Sequence, residues 1–170
     1  MSCDAPANAY LEARLAGALD AELHWTATDM RCEGMRRPDG LGLRVTFQGH
    51  VAGRPLTLVF AAARLGEGES AHAVPVNVTL IREGDTIYGT QGDGRCLLDD
   101  VRQAPLVSPT AAGTVRLWQI EARGFCLDPA RAAVTGSSAI LLSRFDFRGQ
   151  ISWEPDPTPP ATPASAPPRS

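Results

Sequence analysis

The stretch LLSRFDFRGQISW, residues 141–153, alternates apolar and polar side chains with a period of two. The apolar residues fall on one side: Leu141, Phe145, Phe147, Ile151 and Trp153. The polar residues fall on the other side: Arg144, Asp146, Arg148 and Gln150. Successive side chains of a β-strand point to opposite faces of the sheet. The stretch therefore predicts a strand with one buried face and one solvated face.

The same alternation recurs earlier in the chain, in segments around residues 23–25, 43–47, 56–60, 74–80 and 118–126. Clusters of Gly, Pro, Asp and Glu separate these segments and mark turns. Six or seven short strands with regular turns predict a mainly β fold. We expect a single antiparallel β-sandwich or open barrel.

The two ends of the chain differ from this pattern. Leu11, Leu15 and Leu19 recur at i, i+4 and i+8, which predicts one N-terminal helix over about residues 5–21. Residues 154–170 are dominated by Pro and Ala and predict a disordered tail. The predicted folded domain is therefore residues 1–153.

Four cysteines occur at long spacings, without the close ligand pairs that zinc sites favour. Their even number predicts disulfides and an oxidising compartment, with Cys96 paired to Cys126 and Cys3 paired to Cys32. Met1-Ser2-Cys3 is interpreted as the start of a mature chain whose export signal has been removed. In the alternative interpretation Cys3 carries a lipid anchor, which leaves Cys32 without an obvious partner.

The charge composition excludes several classes of function. The net charge of −3 and the pI near 5.6 are not typical of a nucleic-acid-binding protein, which carries a clustered basic face. The chain contains no Lys, which excludes Schiff-base catalysis, a P-loop lysine and a pyridoxal-phosphate site. The sequence has no apolar run of the roughly 18 residues needed for a transmembrane segment.

Few residues suggest metal or cofactor chemistry. The three histidines, His24, His50 and His72, form no metal-binding motif. We interpret them as solvent-facing or as core residues whose ring nitrogens are hydrogen-bonded. Asp93, Asp99 and Asp100 lie near glycines, but their spacing does not match a calcium-binding loop. We interpret them as solvated turn carboxylates and predict neither a metal nor a cofactor.

Glu121 and Asp146 are the carboxylates closest to a catalytic pattern. A glycosidase needs two carboxylates that face one cleft. Both residues are set among arginines on predicted outward faces, which favours ion pairs across the sheet instead. We therefore predict no catalytic residue, and an unrecognised hydrolase remains the weakest alternative.

Arginines are concentrated on the polar sides of two segments predicted to be neighbouring strands. We predict a partner-binding surface formed by five residues: Arg116, Arg123, Arg144, Asp146 and Arg148. Arginine is enriched among the residues that dominate binding energy at protein interfaces. The alternative interpretation is a mixed-charge face that keeps the protein soluble.

Four short stretches carry a resemblance to known proteins. They are PVNVTLI at 75–81, GRC at 94–96, RGFC at 123–126 and FDFRG at 145–149. Over about residues 40–153 the chain resembles small exported disulfide-bonded β-proteins of Gram-negative bacteria. Some proteins of this type are periplasmic immunity proteins against effectors delivered by type IV secretion. The resemblance rests on Cys, Gly and apolar residues, which specify a fold, so it transfers no binding residue.

These observations predict a non-enzymatic periplasmic protein-binding module, an immunity or inhibitor protein whose partner is another protein such as a secreted bacterial effector. The alternative is a module that binds a small molecule or a polysaccharide. That alternative requires an exposed ring for sugar stacking among Trp25, Trp118 and Trp153.

Overall fold

The computed structural model describes residues 8–82, 86–92, 94–106, 117–134 and 138–153. Within these ranges the chain forms twelve β-strands and no helix. The strands are β1 Tyr10–Gly17, β2 Ala21–Thr26, β3 Arg31–Arg36, β4 Leu43–Val51, β5 Arg54–Ala62, β6 Ala71–Pro75, β7 Asn77–Arg82, β8 Ile87–Gly89, β9 Cys96–Pro105, β10 Leu117–Cys126, β11 Ala130–Ala132 and β12 Ala139–Ser152. The predicted mainly β fold is confirmed.

The strands form two sheet regions that meet at β12. The first sheet has the order β2-β1-β12-β10-β9-β6, and all its pairings are antiparallel. The second sheet has the order β3-β4-β5-β7-β8 and is also antiparallel. Strand β11 pairs with both β8 and β12, and one parallel bridge joins Ser152 of β12 to Met35 of β3. The result fits a sandwich or barrel whose two layers are joined at both ends.

Apolar alternation buries one face of each sheet against the other. Four phenylalanines lie at the centre: Phe47 on β4, Phe60 on β5, and Phe145 and Phe147 on β12. The Phe60 ring lies 4.8 Å from that of Phe145 and 4.9 Å from that of Phe147, measured between centroids. Each of the four side chains is at most 2% exposed. Burying side chains of this size is a main source of the folding free energy.

A disulfide joins two neighbouring strands of the first sheet. Cys96 on β9 and Cys126 on β10 are direct register partners and are bonded to each other, as predicted. Their separation of 30 residues corresponds to roughly 3–4 kcal/mol of stabilisation in the chain-entropy account. The bond is consistent with an exported protein. Cys32 is also disulfide-bonded, and its predicted partner Cys3 lies outside the described residues.

The predicted N-terminal helix is wrong over the described residues, because residues 10–17 form strand β1 between β2 and β12. A spacing of four residues places Leu11 and Leu15 on one face of a helix, but it also places them on one face of a strand. Ala13 resolves the ambiguity, since it is buried together with Leu11 and Leu15 in a period-two pattern. Hydrogen bonding of β1 to β2 on one side and to β12 on the other then outweighs the helical preference of Ala and Leu.

Two further expectations need correction. The apolar run at 74–80 is two strands: Pro75 ends β6, which pairs with β9, and Asn77 begins β7, which pairs with β5. The chain therefore crosses between the sheets at Val76. In β12, Leu141 does not share the buried face of Phe145; Ile140 and Leu142 are buried instead, because a bulge at Ser143 shifts the alternation by one residue.

The predicted disordered tail, residues 154–170, lies outside the described part of the chain. Within the described part, no helix is long and apolar enough to cross a membrane.

A charged sheet face as the candidate functional site

Four of the five sequence-predicted binding residues lie together on the outward side of the first sheet. Arg123 on β10 pairs in register with Asp146 on β12, and Glu121 pairs with Arg148 two positions away. Arg144 follows on the same side of β12. Arg116 lies outside the described residues. We call the outward side of this sheet the charged face.

The register aligns the polar side chains in two rows that cross the strands. The first row contains Tyr10, Arg148, Glu121 and Arg102. The second row contains His24, Glu12, Asp146, Arg123, Asp100 and His72. Side chains directly opposite on adjacent strands lie within interaction distance. The first row therefore spans four strands and the second row spans six.

The first row is internally paired. The Arg148 guanidinium donates through Nε to Glu121 Oε1 at 2.8 Å and lies 2.7 Å from the same oxygen through Nη2. Gln119 Nε2 also donates to Glu121 Oε1, at 3.0 Å. The Arg148 guanidinium carbon lies 5.5 Å from the centroid of the Tyr10 ring, within cation–π range. Glu121 is therefore held by its neighbours, as the prediction of cross-sheet ion pairs expected.

Tyr10 links the two rows. Its hydroxyl donates a hydrogen bond to Asp146 Oδ1 at 2.7 Å. Partial burial raises the pKa of Tyr10 to about 12, and the hydrogen bond to the Asp146 carboxylate and its negative charge act in the same direction. Tyr10 therefore stays protonated near neutral pH and acts as a donor that fixes the orientation of Asp146.

The second row leaves Arg123 without a partner among the described residues. Its register neighbours are both carboxylates, Asp146 and Asp100. Asp100, however, is engaged by His72 Nδ1 at 3.2 Å and by Arg102 Nε at 3.4 Å. No ion pair or hydrogen bond within the described ranges involves the Arg123 guanidinium, and its side chain is exposed. Its donors are thus available to a group from outside.

Two β-bulges make the charged face concave beside Arg123. Asp99 is the extra residue in β9, and Ser143 is the extra residue in β12, so the bulges flank β10 on both sides. A hollow of about 220 Å³ lies between them, lined by residues that include Glu12, Asp99 and Arg144. A second hollow of about 200 Å³ adjoins it, and Arg123 and Asp146 line both. Bulges frequently lie next to functional sites, where they redirect side chains.

Gly124 is required for this geometry. A Cβ at this position would lie 2.0 Å from the carbonyl oxygen of Leu97 and 2.8 Å from the Phe145 ring. The register between β9 and β10 shifts at this position, and only glycine fits between the Leu97 carbonyl and the Phe145 ring.

Other predicted candidates lie apart or are already engaged. Asp99 and Asp100 belong to strand β9, which corrects their interpretation as turn carboxylates, and Asp93 lies outside the described residues. In the described ranges no group of three or more His, Cys, Asp or Glu residues is arranged to hold a metal ion. His50 lies on the second sheet, away from the charged face.

The three tryptophans are covered to different extents. Trp25 and Trp153 are buried, at 7% and 4% exposure. Trp118 is half-buried and donates through Nε1 to Glu67 Oε1 at 2.9 Å, with Gly68 packed against its ring. Trp25 and Trp153 therefore present no open ring for sugar stacking, and one side of the Trp118 ring lies against Gly68.

Sequence reasoning missed Tyr10, which falls in the segment predicted to be a helix. The signal was the alternation of Tyr10, Glu12 and Arg14 with Leu11, Ala13 and Leu15, which fits a strand with one polar face. No family model, no curated protein and no solved structure matches this chain.

Proposed function

We propose that this chain is an exported, non-enzymatic protein-binding module of the periplasm. In this proposal it is an inhibitor or immunity protein that blocks an antibacterial effector, and the charged face is the surface that contacts the effector. The observation that carries the proposal is the exposed guanidinium of Arg123, which has no partner among the described residues although the polar side chains around it are paired.

The paired residues around Arg123 support an interface. Arg148 and Tyr10 hold Glu121 and Asp146 in fixed orientations before any partner arrives. A preorganised surface loses less side-chain entropy on binding than a mobile one. The Arg123 guanidinium can then donate two parallel hydrogen bonds to a carboxylate of the partner.

The shape of the charged face favours a protein over a small molecule. The hollows beside Arg123 measure about 220 and 200 Å³, which is below the range of roughly 300–1,000 Å³ that is usual for small-ligand pockets. The polar rows extend across six strands, from His24 on β2 to His72 on β6. A surface that is wide, shallow and charged is suited to the flat contact area of another protein.

The test uses charge reversal on each side of the molecule. Tagged wild-type chain, Arg123→Glu and Arg31→Glu are used to capture proteins from periplasmic extracts of Gram-negative bacteria that deliver antibacterial effectors. Arg31 is the matched control, because it is an exposed strand arginine on the second sheet. We expect the wild type and Arg31→Glu to retain the partner and Arg123→Glu to weaken binding by roughly 100-fold.

The captured partner then provides a functional readout. Stoichiometric wild-type chain should abolish the partner's antibacterial activity, and Arg123→Glu should not. Equal retention of the partner by all three proteins would overturn the assignment of the charged face. A captured partner whose activity is unchanged at saturation would overturn the inhibitory role.

A further inference from the structure

A second concave region lies on the outward side of β7, β8 and β11, away from the charged face. It is a groove of about 520 Å³ whose lining includes Thr79, Ile87, Gly89, Arg95 and Arg131. This volume is more than twice that of either hollow on the charged face and falls in the range of small-ligand pockets.

Gly89 forms the floor of the groove. The register places Thr79, Gly89 and Arg131 side by side on three adjacent strands, so the missing side chain at Gly89 leaves a gap in the outer layer. A Cβ added to Gly89 would meet no atom within 4 Å, and its φ lies outside the left-handed region. Neither crowding by neighbouring atoms nor backbone conformation requires glycine at this position. The space above Gly89 is open, and the strand below it is regular.

Two arginines, Arg95 and Arg131, line the groove, and its described lining contains no carboxylate. Arg95 is held in place, because its Nε donates to the carbonyl oxygen of Gln91 at 2.6 Å and its Nη1 lies 3.5 Å from Asp128 Oδ2. Arg131 is exposed and makes no hydrogen bond or ion pair within the described ranges. An anionic group between these two guanidiniums would gain charge-assisted hydrogen bonds.

Apolar surface borders the same groove. The Ile87 side chain is 49% exposed, and Pro129, Ala132 and Ala133 also line the groove. A concave lining with several apolar side chains favours a ligand with an apolar body.

We propose that this groove binds a small organic anion that carries an apolar body. The anionic head, a carboxylate or a phosphate, lies between Arg95 and Arg131. The apolar body lies over Gly89 and against Ile87. This site is independent of the charged face and of the proposed protein-binding function.

The test measures binding of the fluorescent probe 8-anilinonaphthalene-1-sulfonate, which has an anionic head and an apolar body, to the folded full chain. We expect one probe per chain. Gly89→Val fills the floor with a side chain that a strand accepts well, so it should abolish binding while the fold is retained. Arg131→Gln should weaken binding about tenfold. Arg123→Gln, on the charged face, is the matched control and should leave binding unchanged.

Competition tests the class of ligand. At equal ionic strength, octanoate should displace the probe at lower concentration than inorganic phosphate, because only octanoate supplies an apolar body. Equal displacement by the two anions would overturn the apolar part of the proposal. Unchanged probe binding in Gly89→Val and Arg131→Gln would overturn the site itself. In either case the capture of a protein partner through Arg123 remains a separate result.

Discussion

The outward faces of the two sheets differ sharply although their inward faces are alike. On the second sheet, the outward residues of strands β5 and β7 are uncharged: Pro55, Thr57, Val59, Ala61, Asn77, Thr79 and Ile81. The flanking strands β3 and β4 carry Arg31, Glu33 and Arg44, but none of the three has a charged register neighbour. We call the outward side of β5 and β7 the neutral face. On the first sheet, the corresponding positions of β1, β12 and β10 carry Glu12, Asp146, Arg148, Glu121 and Arg123.

This difference separates what the fold requires from what the surface adds. The second sheet is paired over long registers without charged rows, so charged cross-strand rows are not needed to hold a sheet of this protein together. Exposed ion pairs contribute only about 0–1 kcal/mol each, whereas the buried aromatic core contributes several kcal/mol for each ring. The charged rows of the first sheet therefore contribute little to stability, which is compatible with the recognition role that we propose for them.

The largest loss of stability is expected from a substitution in the core that both sheets share. Phe60→Ala deletes a fully buried ring that contacts Phe47 on its own sheet and Phe145 and Phe147 on the other. We expect the free energy of unfolding to fall by about 3–5 kcal/mol, because the substitution leaves a cavity at the centre of the sandwich. Chemical denaturation measures the loss, and hydrogen exchange should accelerate in both sheets. Acceleration confined to the second sheet would show that the two layers are not one cooperative unit.

A smaller effect should act on one sheet first. Replacing Cys96 and Cys126 together by Ala removes the bond between β9 and β10, with an expected loss of roughly 3–4 kcal/mol. Amide exchange should rise more in β9 and β10 than in β4 and β5, because the bond lies in the first sheet only. Reduction of the wild type breaks the same bond without a substitution. It also breaks the disulfide of Cys32, so the effect of losing that second bond is measured in the same experiment. Equal acceleration in both sheets would contradict this prediction.

The same contrast explains which features the sequence could predict. Period-two alternation around Phe47, Phe60 and Phe147 predicts strands and their buried faces, because burial on one side leaves a direct pattern in the chain. It also places Arg123 and Asp146 on outward faces, and the structure shows them as register neighbours. The Cys96–Cys126 pair was predictable because few pairings of four cysteines are available.

Features that depend on pairing partners were not predictable in the same way. Leu11 and Leu15 fit a helix and a strand equally well. The alternation around Ala13 favours a strand, and pairing with β12 and β2 establishes it. The bulges at Asp99 and Ser143 depend on the register between strands, which no local pattern encodes. The hydrogen bond from Tyr10 to Asp146 joins residues 136 positions apart. It could not be inferred without the register between β1 and β12.

The smallest expected effect compares one hydroxyl on each face. Tyr10→Phe removes the donor to Asp146 on the charged face, and Thr57→Val removes a hydroxyl on the neutral face that makes no hydrogen bond among the described residues. We expect Tyr10→Phe to cost about 1 kcal/mol near neutral pH, because a partly exposed hydrogen bond to a carboxylate is lost. Thr57→Val should change stability by less than about 0.5 kcal/mol, as is usual for surface substitutions.

High pH separates the two variants further. The pKa of Tyr10 is raised to about 12 from the ordinary value of 10.0, so the folded state holds the phenolic proton more tightly than the unfolded state does. The corresponding stabilisation is complete below about pH 10 and is lost as the pH rises through about 12. Because the chain has no Lys and only two Tyr, few other side chains titrate in this interval. Wild type and Thr57→Val should therefore lose stability between pH 10 and 12 by denaturation at fixed ionic strength, and Tyr10→Phe should lose less. Parallel pH profiles for all three proteins would show that the Tyr10 proton is not linked to folding. They would contradict the role of Tyr10 as the donor that orients Asp146.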